Sequence, residues 1–271
     1  MKGQNKGLIV LLFLVALSLG TYIVYSQVGT KDVKDDKKDV VDGKTEDNDK
    51  EELDKIGEYL FEKEEKYELY ALGSGNYEGK TNLTQEQVFA FYYYLMDNGN
   101  LDVTKDKIDN YVKDLYNIEL SEYPEIKLGQ DTAALYSYDK NKNEYVSSGF
   151  GHGVFEINPI FSKLAKVEKN DNYYTITVTR VYKPVQGTDF VAGTPEQEYY
   201  ADKSYTTKIE KLHAFVNIYD ANGELIKSEI AKAQEYYEQN YDEFKNLKPQ
   251  YKYTFKKENN DYYLVSVEII K

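Results

Sequence analysis

The feature that most constrains this chain is an uncharged, mostly apolar segment near its N-terminus. Met1–Lys6 carries two lysines, and no charged residue occurs from Gly7 to Thr30. A helix rises about 1.5 Å per residue, so this segment is long enough to cross a hydrocarbon core of roughly 30 Å. The sequence therefore predicts a cytoplasmic basic tip at residues 1–6 and a transmembrane anchor at residues 7–26. The apolar side chains of the predicted anchor include Leu8, Ile9, Leu12, Phe13, Leu17 and Ile23.

A cleaved signal peptide is the alternative interpretation of this segment. The apolar stretch Leu8–Val24 exceeds the about 7–15 residues typical of a signal-peptide core. Val24-Tyr25-Ser26 could serve only as a poor cleavage site, and the chain has no cysteine for lipid attachment. We therefore favour a lasting anchor. Through it the protein would contact the lipid bilayer as a single-pass protein of the cell membrane.

Orientation depends on two opposing signals. Four lysines follow the apolar segment and argue for a cytoplasmic C-terminal side, since cytoplasmic flanks are enriched in Lys and Arg. Long domains, however, are largely translocated regardless of charge, and the short basic start has the form of a signal. The prediction is an extracellular C-terminal domain. The four lysines are Lys31, Lys34, Lys37 and Lys38.

The segment after the anchor and the remaining chain differ sharply in composition. Residues 27–50 contain few large apolar side chains, so the sequence predicts a disordered charged linker there. Residues 1–50 carry eight lysines and eight acidic residues, so their net charge is zero. The whole net charge of −13 therefore lies in residues 51–271. An acidic domain lacks the clustered Lys or Arg that phosphate backbones require, and we expect no nucleic-acid partner.

Periodicity predicts one α+β domain over residues 51–271, with helices at 51–117 and mainly strands at 131–271. Leu53, Ile56 and Leu60 have helical spacing, and Thr84-x-x-Gln87 has the form of a capping box. A third helix is predicted to start at Thr104. The expected architecture is a curved antiparallel sheet with helices on one face.

The later part of the domain alternates with a period of two. In TITVTRVYK, Ile176, Val178 and Arg180 share one face of a strand, and the intervening residues share the other. Turn-forming residues divide the pattern into hairpins at Asn170-Asp171-Asn172, at Asn222-Gly223 and at Asn259-Asn260. The second of these predicts strands over 211–219 and 224–230, followed by a short helix over residues 233–244.

The closing segment YKYTFKKENNDYYLVSVEI resembles the C-terminal hairpin of uncharacterised single-span, membrane-anchored extracytoplasmic proteins of low-GC Gram-positive bacteria. The order of elements is similar to the NTF2-like (cystatin-type) fold. That resemblance implies a cone of sheet and helices with a pocket between them. It brings no catalytic residues to this chain.

No motif in the sequence indicates catalysis, a metal site or a cofactor, and we predict a non-enzymatic protein. Cysteine is absent and only two histidines occur. His152 lies in a GFGHG loop, which could approach a ligand or simply form a turn. Arg180 is the only arginine, and it could bind a carboxylate ligand or pair with an internal acid. The candidate ligand-binding residues are His152, Arg180, Tyr174 and Tyr182.

These observations favour a membrane-tethered extracytoplasmic domain that binds a protein or small ligand at the bacterial cell envelope. An envelope protein is therefore a possible partner. A structural subunit of an envelope assembly, such as a secretion or conjugation machine, is the alternative, and an envelope enzyme is the least favoured. An enclosed pocket with convergent polar groups would favour a small ligand. A filled interior with an exposed aromatic patch would favour a protein partner.

Overall fold

The structure is a computed structural model that describes residues 44–99, 102–127, 134–148, 159–183, 199–212, 218–219 and 225–271. These residues form an α+β fold of helices and antiparallel sheets, as the sequence predicts. The chain divides into two units at Lys44, and the features below belong to the second, Thr45–Lys271. The predicted anchor at residues 7–26 lies outside the described residues. Within the described part, no helix combines the length and the apolar character needed to cross a membrane.

Three helices lie in the N-terminal part of the described chain, and short 3₁₀ turns lie at Leu69–Ala71 and Glu210–Leu212. The helix α1 begins earlier than the start at residue 51 that the sequence predicts. The apolar spacing that marks this helix starts only at Leu53, whereas the residues before it are charged or polar side chains that a helix tolerates without burial. The helices are α1 Lys44–Lys66, α2 Gln85–Asp97 and α3 Lys105–Tyr116.

Side-chain caps fix where α2 and α3 begin. The Thr84 hydroxyl accepts a hydrogen bond from the Gln87 amide at 3.3 Å, and the Gln87 carbonyl oxygen accepts one from the Thr84 amide at 2.9 Å. This reciprocal pair is the predicted capping box. At the next helix the Thr104 hydroxyl accepts from the Lys107 amide at 3.4 Å. Both predicted starts are confirmed.

The main sheet has five strands in the order β1-β10-β9-β6-β5, all paired antiparallel. Two predicted hairpins supply four of these strands. Asp171 has φ 53°, and Asn259 and Asn260 have φ 49° and 69°. Asn and Asp tolerate this left-handed region, which tight hairpin turns require. The strands are β1 Gly75–Asn76, β5 Phe161–Asn170, β6 Tyr173–Val181, β9 Gln250–Glu258 and β10 Asp261–Ile270.

Two smaller sheets and two short helices complete the described fold. The second strand predicted at Asn222-Gly223 ends at Lys227 and not at residue 230, because the Ser228 hydroxyl caps a helix at the Ala231 amide at 3.1 Å. That cap takes Glu229 and Ile230 out of the predicted strand. The remaining elements are β2 Ile126–Lys127, β3 Ala134–Asp139, β4 Glu144–Ser147, β7 Ile218–Tyr219, β8 Leu225–Lys227, α4 Glu229–Gln239 and α5 Tyr241–Phe244.

The predicted alternation of β6 is present, and both faces of this strand are used. Ile176 and Val178 are fully buried in the larger core beneath the N-terminal helices. Val181 on the opposite face belongs to a second core cluster with Tyr237 of α4. The expectation of helices on one face only is therefore wrong at this end of the sheet. The helix α4 packs against the apolar and hydroxyl side chains of this second face. Its Tyr237 hydroxyl lies 2.5 Å from Thr179 Oγ1.

Candidate functional site

The only arginine lies at the centre of the larger core. Arg180 of β6 is fully buried and forms an ion pair with the equally buried Glu64 of α1. Its Nη2 also donates to the Tyr253 hydroxyl at 2.5 Å, and that hydroxyl donates to the Leu69 carbonyl at 3.3 Å. The guanidinium carbon lies 4.5 Å from the ring centroid of Tyr251. Arg180 thus ties α1, the 3₁₀ turn and the sheet together.

Burial and ion pairing act in opposite directions on the pKa values of Glu64 and Arg180. Burial raises the pKa of the Glu64 carboxyl, and the Arg180 guanidinium opposes that rise. Burial alone would lower the pKa of Arg180, but Glu64 and the surrounding tyrosines outweigh it and raise that pKa. Within the described residues, Arg180 Nε, Arg180 Nη1 and the Tyr182 hydroxyl are buried without a hydrogen-bond partner. Unpaired buried groups of this kind are costly.

The structure brings two of the predicted ligand-binding residues together. Tyr182 follows the end of β6, two residues after Arg180, and its ring centroid lies 6.4 Å from that of Tyr251, which also packs on Arg180. Tyr174 lies further along the strand against Tyr262, at 5.2 Å between ring centroids. All three predicted side chains are buried in the core, and His152 lies outside the described residues. Ligand binding by these four residues stays a prediction.

An open pocket of about 330 Å³ lies on the surface of α1, and we call it the Tyr59 pocket. Residues about one helical turn apart on α1 line one side of it, α3 contributes Asp114, and the start of β10 contributes Asp261. Tyr59 on its rim is 46% exposed, one of two large hydrophobic side chains exposed in the described structure. The lining residues are Tyr59, Glu62, Lys63, Lys66, Tyr67, Asp114 and Asp261.

The two lysines of the Tyr59 pocket are already engaged. The Lys63 side chain is only 8% exposed, and its Nζ lies 3.4 Å from Asp261 Oδ1. Burial lowers the pKa of Lys63, and Asp261 opposes that change. Lys66 Nζ lies 4.9 Å from the ring centroid of Tyr67, whose hydroxyl donates to Asp114 Oδ2 at 3.3 Å. Three carboxylates against two lysines leave the lining with a net negative charge, and Glu62 and Lys66 are both exposed.

A second open pocket, of about 310 Å³, lies on the face of the main sheet that points away from α1, and we call it the lysine pocket. Its floor includes Thr177, which points away from the Ile176 face on which α1 packs. Sequence reasoning missed both pockets, because each joins residues that are distant in the chain. The lining residues are Ala165, Lys166, Glu168, Thr177, Lys245, Asn246, Gln250, Lys252 and Ile270.

Another polar cluster lies where α1 ends. Glu68 adopts φ 53°, unusual for a residue other than glycine, and is half-buried. The Tyr70 hydroxyl donates to Asp97 Oδ2 at 2.9 Å. Burial raises the pKa of Glu68 to about 7, with Asp97, Glu64 and Glu65 adding to the rise and a hydrogen bond to Tyr70 opposing it. Among the described residues, no group of three or more His, Asp or Glu side chains could hold a metal ion.

Comparisons with known proteins add no assignment to this geometry. No protein-family model, curated protein or solved structure matches the chain. Function must therefore be inferred from the residues and the sites that they form.

Proposed function

We propose that this chain is a non-enzymatic binding domain that captures a basic segment of a partner protein in the Tyr59 pocket. The observation that carries the proposal is an exposed aromatic ring beside carboxylates, in a pocket whose own lysines are engaged. Tyr59 is 46% exposed. Its ring lies 5.8 Å from that of Tyr262, which holds it against the sheet.

The chemistry of the pocket suits an arginine or lysine side chain. A cation placed over the Tyr59 face would gain a cation–π interaction worth about 0.5–2 kcal/mol. Glu62 and Asp261 could accept hydrogen bonds from the same cation, and an arginine could engage a carboxylate with two donors. An acidic segment would be repelled by these carboxylates, and a neutral one would gain no ion pair with Glu62.

Charge across the whole domain supports the same class of partner. The net charge of −13 lies in residues 51–271. A field of this sign raises the association rate of cationic partners and repels anionic surfaces. The open form of the pocket favours a protein segment over an enclosed small molecule.

A binding experiment with matched variants tests the proposal. Full-length protein is titrated against a labelled arginine-rich peptide and against a glutamate-rich peptide of the same length. We expect saturable binding of the first peptide alone, weakened at least about tenfold in the double variant Tyr59→Ser/Glu62→Gln. Glu58→Gln on the same helix, outside the pocket, makes the same charge change as Glu62→Gln and is the control. Equal weakening by Glu58→Gln would show general charge attraction and contradict the proposal.

The cellular setting is part of the proposal. We place the domain outside the cytoplasmic membrane of a Gram-positive bacterium, tethered by residues 7–26, with an NTF2-like arrangement of sheet and helices. The support is the uncharged N-terminal segment and the resemblance of the closing hairpin. Protease treatment of intact cells tests the location: digestion of residues 51–271 is expected, and their protection would overturn it.

A further inference from the structure

We propose that the lysine pocket binds a small phosphate-class dianion, at a site separate from the Tyr59 pocket. The lining of this pocket is basic, although the domain around it is acidic. Its lining holds three lysines, Lys166, Lys245 and Lys252, against one acid, Glu168. Across residues 51–271, by contrast, acidic residues outnumber basic ones.

The lysines are held by weak interactions that an incoming anion can replace. Lys245 Nζ lies 2.8 Å from Asp242, whose side chain is 91% exposed, and Lys252 Nζ lies 2.9 Å from Glu268, which is 62% exposed. Exposed ion pairs of this kind contribute little free energy. Neither acid lines the pocket, so these two lysines can exchange their partners for an anion, whereas the third, Lys166, lies 2.7 Å from Glu168 of the lining.

The floor of the pocket supplies neutral polar groups in fixed positions. Thr177 is 5% exposed and Gln250 is 8% exposed. The Gln250 side-chain amide donates to the Lys245 carbonyl at 2.5 Å and accepts from Lys248 Nζ at 3.2 Å. These bonds hold the segment that carries Lys245 against the sheet. A compact anion would therefore meet a preorganised floor and partly exposed lysine side chains.

Charge and size select the ligand. Once the pairs with Asp242 and Glu268 open, three lysines against one acid of the lining leave an excess of two positive charges, which matches a phosphate dianion. Lysine binds phosphate as a point charge. The volume of about 310 Å³ is near the lower end of ligand pockets. A long polyanion would also meet the surrounding negative field, so a small phosphate or phosphate monoester is the expected class.

The test uses full-length protein and calorimetric titration with inorganic phosphate, glycerol 3-phosphate and a phosphodiester oligomer. We expect one saturable site for the first two probes, with affinity reduced at least about tenfold in Lys166→Gln/Lys252→Gln. The single variant Lys142→Gln, whose lysine lies 3.9 Å from Glu144 on a different sheet, should stay within about twofold of wild type.

Three outcomes would overturn the inference. They are no saturable phosphate binding, equal weakening by Lys142→Gln, and tighter binding of the phosphodiester oligomer than of the small probes. Circular dichroism of each variant shows whether it is folded, so that weaker binding by a folded variant can be attributed to the site. Because the arginine-rich peptide binds elsewhere in the proposed function, Lys166→Gln/Lys252→Gln should not weaken its binding.

Discussion

Glu64 and Arg180 are separated by 116 residues in the chain and form an ion pair in which neither side chain is more than 1% exposed. Arg180 also reaches Tyr253, which in turn bonds the Leu69 carbonyl. Burying two charges costs several kcal/mol, which mutual attraction and added hydrogen bonds offset. The pair therefore acts chiefly by fixing where α1 meets the sheet.

Breaking this pair should destabilise the fold strongly. We expect Glu64→Ala or Arg180→Ala to lower the free energy of unfolding by about 3–5 kcal/mol, because either change leaves a buried charge unpaired. The double variant Glu64→Leu/Arg180→Met should recover most of the loss. Urea denaturation of full-length protein measures each value. The exposed pair Glu51–Lys55, at 2.7 Å, is the control, and Glu51→Gln should change little. Additive losses in the double variant would contradict the prediction.

Glu68 should make stability depend on pH. Its pKa is raised from an ordinary 4.5 to about 7, so the folded protein holds this proton more tightly than the unfolded chain. The stabilisation is fully present below pH of about 4.5 and is lost as pH rises through about 7. Glu68→Gln should remove this dependence, on the order of 1 kcal/mol after solvent screening.

Unfolding curves between pH 5 and pH 8 check this prediction, with the range set by the pKa of about 7. Glu58→Gln serves as the control on the exposed side of α1 and should follow the wild-type profile. An unchanged profile in Glu68→Gln would assign the pH dependence to other groups.

The capping box at α2 should contribute measurably to stability. Thr84→Ala removes the acceptor for the Gln87 amide and should cost about 1 kcal/mol. Thermal unfolding measures the change. Thr81→Ala is the matched control, because Thr81 is exposed and its bond to the Ser121 amide uses the backbone carbonyl. Equal losses in the two variants would argue against a capping role.

The contact between Thr179 and Tyr237 should couple α4 to the main sheet. Tyr237→Phe removes a buried hydroxyl 2.5 Å from Thr179 Oγ1 and should cost about 1 kcal/mol. A double-mutant cycle with Thr179→Val isolates the pairwise energy. We expect a coupling of about 0.5–1.5 kcal/mol, and a coupling near zero would show that packing alone holds α4.

Local rules made several elements predictable. The capping box at Thr84, the start at Thr104 and the turn at Asn259-Asn260 depend on side chains within a few residues of one another. The strand after Asn222-Gly223 was predicted to run too far, because the cap at Ser228 begins a helix there. A helix over residues 233–244 was predicted, but its packing on the second face of the sheet was not, because periodicity does not show that Thr179 and Val181 are buried.

The sequence by itself determined the α+β class, the helix caps, the hairpin turns and the concentration of negative charge in residues 51–271. It also raised two possibilities for Arg180, a ligand or an internal acid. Only the tertiary structure decided that Glu64 is the partner and that Tyr59 stays exposed beside Asp261. The physical reason is range: caps and turns involve neighbouring residues, whereas ion pairs and pockets depend on which distant side chains the packed core brings together.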